Sequence, residues 1–291
     1  MNHTLMPLHS LGQNFLTDKN IIRKIVRSAE IDKSDTVVEI GPGKGILTFE
    51  LAKVAKKVIA IEKDRGLFNL LEKEIQEKNI TNIDLTHADA LKLSYSIALS
   101  DYSSHNADPS NSSGLPAESA QGGEGLVISN PPYDIASRLI IDFLTKTLNI
   151  KKIVFVIQKE VAKKAIAKSG DMVVFSVLVQ TFGIPKILFN IPRSCFYPQP
   201  RVDSSVLQIT RNTEFFDNAT ESDIQKFIKM VKSGFSSKRK FLINNLSEKL
   251  DISKDDLKKI FLKIGIDDKV RAEELEIREW VCLRRYLHNI I

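Results

Sequence analysis

The chain has 291 residues, 43% of them apolar, 27% charged and 7% aromatic, a balance that excludes wholesale disorder and fits a folded globular protein. Its 42 Lys and Arg outnumber 36 Asp and Glu for a formal charge of +6 and a pI near 9.1, which favours a polyanionic partner without specifying one. A cytoplasmic protein with no metal site is expected, because no run approaches the ~18 apolar residues of a membrane span, Met1 to Ser10 is unlike a secretory signal, and Cys195 and Cys282 lack ligand-spaced partners.

In chain order, Ile21, Ile22, Ile25, Val26 and Ala29 recur at helical spacing behind Asp18, a candidate cap, and predict a leading helix. From Thr36 short β-branched runs alternate with helical patterns, the mark of βαβ units in a doubly wound α/β sheet. Thr36 to Ile40 predicts a strand, Gly45 to Lys56 a helix burying Leu47, Leu51 and Val54, and Val58 to Glu62 a second strand. Leu67, Leu70, Leu71 and Ile75 form the next helical stripe, and Asn82 to His87 a third strand. Periodicity then disappears into Ser, Asn, Gly, Ala and Pro, with Asp101, Asp108, Glu118 and Glu124 and no basic residue, so 94–125 reads as a solvated insertion. Leu126 to Ser129 predicts a fourth strand, Ile135 to Leu148 a helix and Ile153 to Gln158 a fifth strand. Met172 to Phe182 is apolar throughout and fits either a strand or a buried helix. Pro185 to Ile191 and Ser204 to Thr210 predict an antiparallel pair at one sheet edge. Four helical patterns follow, Ser222 to Ser233, Ser237 to Leu250, Asp255 to Ile264 and Glu273 to His288. The expected organisation is an α/β domain over 1–212 and a small all-helical domain over 213–291.

Two loops carry the chemistry. The first strand runs into Gly41-Pro42-Gly43-Lys44-Gly45, where a doubly wound sheet places its ligand, and Glu62 ends the next strand where a carboxylate can accept hydrogen bonds from ribose hydroxyls. That pattern fits several nucleotide cofactors. The third glycine comes one residue early for a dinucleotide fingerprint and no phosphate-loop motif is present, so S-adenosylmethionine, which has no pyrophosphate to cradle, fits best. Asp89, just past the third strand, is a candidate for the adenine amino group of the same cofactor, or an ordinary turn residue.

The second loop is Asn130-Pro131-Pro132-Tyr133, after the fourth strand. An exocyclic adenine amine is a weak nucleophile because its lone pair is delocalised into the ring. Acceptors for its two N–H bonds, the Asn130 side-chain oxygen and the Pro131 carbonyl, favour a more tetrahedral nitrogen, while the prolines stiffen the turn. Tyr133 can stack on a base, an interaction worth ~1 to 3 kcal/mol. No general base is required, since the proton leaves after the nitrogen has become cationic, and none of the five histidines has an evident partner.

These residues resemble the small-subunit ribosomal RNA adenine N6,N6-dimethyltransferases, a family with a Rossmann-like methyltransferase sheet and a helical tail. The likeness runs through His9 to Leu16 (HSLGQNFL), Val38 to Thr48 (VEIGPGKGILT), Ile157 to Lys163 (IQKEVAK), Phe196 to Ser204 (FYPQPRVDS), Lys238-Arg239-Lys240 and Arg271 to Leu275. It implies that Asn14 and Leu16 close over S-adenosylmethionine, and that Gly41, Glu62, Asp89 and Asn130 contact or border it. The substrate it implies is a pair of adjacent adenosines near the 3′ end of small-subunit RNA, with the enzyme acting as a monomer on an assembling particle. Phe196 becomes a second candidate for stacking on the target base. Pro131 stands where the family usually has leucine, and the resulting N-P-P-Y resembles DNA adenine methyltransferases instead; the insertion is also longer than the family pattern. Methylation of large-subunit RNA or DNA, or a non-catalytic role in ribosome assembly, are the alternatives.

The basic excess is unevenly spread. The insertion carries −4, Lys151 to Lys168 holds six lysines against Glu160, and Lys226 to Lys240 holds six basic residues and no acidic one. Beside a base-binding pocket these runs read as a phosphate-tracking surface, with Lys238, Arg239 and Lys240 as RNA contacts.

Overall fold

The computed structural model describes residues 14–93, 125–146, 150–216 and 219–287; residues 9–13 of the N-terminal motif, 94–124 of the insertion and His288 lie outside them. The expected leading helix is α1 (Lys19–Ser28), capped by the Asp18 carboxylate, which accepts from the Asn20 and Ile21 amides at 2.8 and 3.2 Å. The α/β alternation follows as β2 (Thr36–Ile40), α2 (Ile46–Ala52), β3 (Lys57–Glu62), α3 (Arg65–Glu77), β4 (Ile83–His87), β5 (Gly125–Ser129), α4 (Tyr133–Lys146) and β6 (Ile150–Gln158). Ahead of it, a two-residue strand β1 (Phe15–Leu16) pairs antiparallel with β8 (Phe196–Tyr197). Chain periodicity could not show this ribbon, since two residues are too few to carry a pattern.

The large sheet has the order β4-β3-β2-β5-β6-β9-β7, with β7 (Gly183–Ile191) at the edge and β9 (Ser204–Arg211) beside it. Strands β4, β3, β2, β5 and β6 pair in parallel. Strand order reverses between β2 and β5, and the crevice beyond their carboxyl ends is where such sheets bind ligands. Val37, Val58, Leu126, Ile128 and Val154 are buried under α1 and α2. Val54 and Leu70, expected inside, are 37% and 42% exposed, on the outer sides of short amphipathic stretches.

The compact units divide the chain differently from the expected boundary at 212. One comprises Met1–Gln158 and Leu188–Gln208; the other comprises Lys159–Ile187 and Ile209–Ile291. In the second unit, α5 (Lys159–Ala165) and α6 (Val174–Phe182) join α7 (Glu221–Gly234), α8 (Leu242–Leu250), α9 (Lys254–Ile264) and α10 (Ile277–Leu287). The ambiguous apolar run is thus a helix. Thr181 donates back to the Val177 carbonyl at 2.7 Å, Ser176 accepts the Val173 amide, and Gln180 donates to the Ala165 and Ala167 carbonyls. Burial among the tail helices overrides the strand propensity of its valines. Gly170 and Ser169 bond the carbonyls of Glu273 and Glu274, and Phe227 meets Phe182 and Phe216 edge to face while those two rings pack tilted on each other. Fully buried Trp280 stacks on Phe235.

Candidate active site

The carboxyl ends of β2 and β5 are drawn together by Ser129, whose buried hydroxyl donates to the Ile40 carbonyl at 2.5 Å. The next residues on the two strands are Gly41 and Asn130, so this bond sets the two loops against each other. Gly41, Gly43 and Gly45 all have positive φ, at 67°, 58° and 74°. A Cβ on Gly43 would lie 2.8 Å from the Phe15 ring, and one on Gly45 would lie 2.4 Å from Leu71. Backbone conformation and space both therefore demand glycine there.

Gly41, Pro42, Gly43, Lys44, Glu62, Asn130, Pro131, Pro132 and Tyr133 line one pocket, joined by Asn14, Phe15 and Leu16. The sheet thereby brings together residues as distant in the chain as Asn14 and Tyr133. Glu62, 5% exposed, accepts the Gly43 amide on Oε2 at 3.1 Å and the Asp64 amide on Oε1 at 2.8 Å, so one carboxylate shapes the glycine loop and the turn after β3. Burial raises its pKa, against the bonds from those amides. The Asn130 side-chain amide donates from Nδ2 to the Asn14 carbonyl at 3.2 Å, which leaves Oδ1 as the acceptor end. Tyr133 bonds the buried Ser204 hydroxyl through its phenol at 2.6 Å, and burial raises its pKa, keeping it neutral.

Glu39 was not singled out by its sequence, where it reads as one strand residue among apolar neighbours. It lines the pocket at 2% exposure, and its Oε2 has no hydrogen-bond partner among the described residues. Burial pushes its carboxyl up to about 8; the Thr48 hydroxyl opposes the shift and the Glu62 charge adds to it. The folded chain thus keeps a proton that an unfolded chain, with an ordinary value of 4.5, releases. Stability is expected to fall as pH rises from about 4.5 to about 8 and to level off above. Thermal melts of the ligand-free chain check this: Glu39→Gln, which cannot ionise, should flatten that limb, and an unchanged pH profile would contradict the buried titration.

Several expected residues stand elsewhere. Asp89 does not line this pocket; it caps a short 3₁₀ turn (Ala90–Lys92) through the Leu91 amide and pairs with Lys63 at 2.9 Å, which lowers its pKa. Phe196 is 4% exposed and belongs to the core, because alternation along β8 turns it inward beside Leu16. So placed, the ring is not among those that line the pocket. The lysine run is not one surface either: Lys152 is 8% exposed and bonds the Ala29 carbonyl and Glu30. In the second unit, Lys238 and Arg239 are exposed, while Lys240 is paired with Glu248 at 2.5 Å, an acidic partner from the following helix that lies beyond the basic run.

Comparison with known proteins decides the family. Residues 8–289 match the ribosomal RNA adenine dimethylases. The chain belongs to that family. A relative from Moorella thermoacetica, a ribosomal RNA small subunit methyltransferase A, is 37% identical over 98% of this chain and 94% of its own length. Among solved structures, a dimethyladenosine transferase from Plasmodium falciparum aligns with TM-score 0.74 at 23% identity, over 95% of this chain and 98% of that one. The 23S rRNA methyltransferase ErmE aligns with TM-score 0.64 at 22% identity, over 94% and 100%. At these identities the two show the fold that this chain shares, and the fold alone does not choose a substrate.

The methyl donor of the dimethylases is S-adenosylmethionine. The pocket fits it on its own chemistry: the glycine loop and the carboxyls of Glu39 and Glu62 line it, and two carboxyls suit a cationic ligand better than a phosphate, since a cation beside them favours the ionised form of Glu39 over the proton it otherwise keeps.

Proposed function

We propose that this chain dimethylates the N6 amines of two adjacent adenosines near the 3′ end of small-subunit ribosomal RNA. The observation that carries the reading is the bond from Asn130 Nδ2 to the Asn14 carbonyl, which turns the acceptor end of the amide away from its neighbour in a pocket shared with the glycine loop and Glu62. The small-subunit target is supported by relatives of that name at 34 to 37% identity over nearly the whole chain.

S-adenosylmethionine supplies, when bound, a methyl group made electrophilic by a positively charged sulfur. The chain's residues prepare the acceptor. Asn130 Oδ1 and the Pro131 carbonyl accept the two N–H bonds of the target amine and localise its lone pair, while Pro131 and Pro132 hold the turn. Tyr133 presents its ring to the base, and its bond to Ser204 fixes the tilt. The methylated nitrogen is cationic and sheds its proton unaided, which leaves a secondary amine whose one remaining N–H is taken by one of the two acceptors in the second transfer. In this reading Glu62 holds the ribose of the cofactor, Asn14, Leu16 and Gly41 border it, and Asp89 receives its adenine amine from beyond the pocket.

The helical unit is assigned to RNA, with Lys238 and Arg239 on phosphates and Lys240 shared with Glu248. The proposal extends to a cytoplasmic monomer acting on an assembling small-subunit particle. Tritiated methyl transfer to particles lacking the modification is the test. Dimethyladenosine in small-subunit RNA is the expected product; label in large-subunit RNA or DNA instead would overturn the reading. Charge reversal at Lys238 and Arg239 should weaken RNA binding and reduce its salt slope by about one for each phosphate no longer neutralised, leaving cofactor affinity unchanged.

A further inference from the structure

The β1/β8 ribbon has two faces. Its pairs are Leu16 with Phe196 and Phe15 with Tyr197, and directly opposed residues of an antiparallel pair project to the same side. Leu16 and Phe196, 6% and 4% exposed, close the inner face onto the core, where Leu16 also borders the pocket. The other face carries Phe15, which lines the pocket against Gly43 with the Lys44 ammonium 5.4 Å from its ring centroid, and beside it Tyr197, 62% exposed.

The segment carrying Tyr197 is held in place and is basic. The Thr17 amide and hydroxyl both donate to the Cys195 carbonyl, at 2.9 and 3.0 Å, tying the segment to β1. Asp203 accepts the Arg193 amide at 3.0 Å, and the Arg193 guanidinium reaches the Arg201 carbonyl at 3.4 Å. Arg193 and Arg201 are exposed. A fixed, exposed aromatic flanked by two arginines is the composition that takes an unpaired base and its phosphates.

We propose that Tyr197 is a stacking platform for the unpaired base next to the target adenosine, with Arg193 and Arg201 meeting the adjoining phosphates. The inference rests on the RNA-methylating reading above. When one of two adjacent adenosines is drawn under Tyr133, its neighbour must stand just outside the pocket, and Tyr197 lies one strand pairing from the pocket-lining Phe15.

The test uses the full chain, S-adenosylmethionine, and small-subunit particles whose RNA carries 2-aminopurine at one of the two adjacent target positions. Wild type and Tyr197→Phe should quench its fluorescence on binding. Tyr197→Leu, which keeps apolar bulk without a π-face, should lose the quench and bind particles about 5- to 150-fold more weakly, the equivalent of ~1 to 3 kcal/mol for one stacked base. Its cofactor dissociation constant should stay at the wild-type value. Equal quench and affinity for Tyr197→Leu and wild type would overturn this proposal alone, whereas a wild type that neither binds nor methylates the particles would overturn the substrate reading and this one with it.

Discussion

Asn130→Ala should cut methyl transfer by about 100- to 1,000-fold, the range for losing one preorganised polar group aimed at a developing charge. S-adenosylmethionine affinity should change little. The side-chain amide has one acceptor end and one donor end, and the donor end is committed to the Asn14 carbonyl at 3.2 Å. Alanine removes the acceptor that localises the amine lone pair. Asn130→Asp is the sharper variant, because it keeps acceptors but sets a carboxylate oxygen against the Asn14 carbonyl, where two acceptors face each other. It should also be severely impaired. Single-turnover transfer to small-subunit particles, with equilibrium cofactor binding alongside, separates the chemical step from occupancy. Wild-type turnover in Asn130→Ala would refute the amine-polarising role.

Glu62→Gln should raise the S-adenosylmethionine dissociation constant by about 5- to 150-fold, because a buried hydrogen-bond mismatch costs about 1 to 3 kcal/mol and about 1.4 kcal/mol is a factor of ten in affinity. Both carboxylate oxygens accept backbone amides, Gly43 on one and Asp64 on the other, at a site that is 5% exposed. A glutamine can match only one of them and turns its NH₂ towards the other, donor against donor. A nominally conservative substitution should thus disturb both the glycine loop and the proposed ribose contact. Calorimetric titration gives the affinity and a melt of the ligand-free chain gives the loop's share. A lower melting temperature with normal affinity would confine Glu62 to shaping the loop and contradict the ribose assignment.

Both loops could be read from the chain because their signals are local. Gly41 to Gly45 follows a β-branched run and opens a helical one, and Asn130 to Tyr133 does the same after β5. Ser129 and Ser204 gave no such signal. Their partners, Ile40 and Tyr133, are 89 and 71 residues away, and a serine before a loop resembles any other. Glu39 was hidden for a related reason: a carboxylate in a strand reads as an outward position until the sheet is covered on both faces. Phe196 shows the limit of a motif, which identifies a position but not the side of the strand it faces. In a two-residue strand the adjacent Tyr197 has the opposite exposure.

The sequence by itself determined the alternation of strands and helices, the two loops and the family likeness, because hydrophobic period and turn chemistry are properties of neighbouring residues. Only the tertiary structure decided which side chains meet. Strand order brought Gly41 beside Asn130, burial made Met172 to Phe182 a helix and placed it with the C-terminal helices, Lys152 was drawn inside, and Glu248 came to Lys240. These outcomes depend on packing between distant segments, which one-dimensional periodicity does not encode.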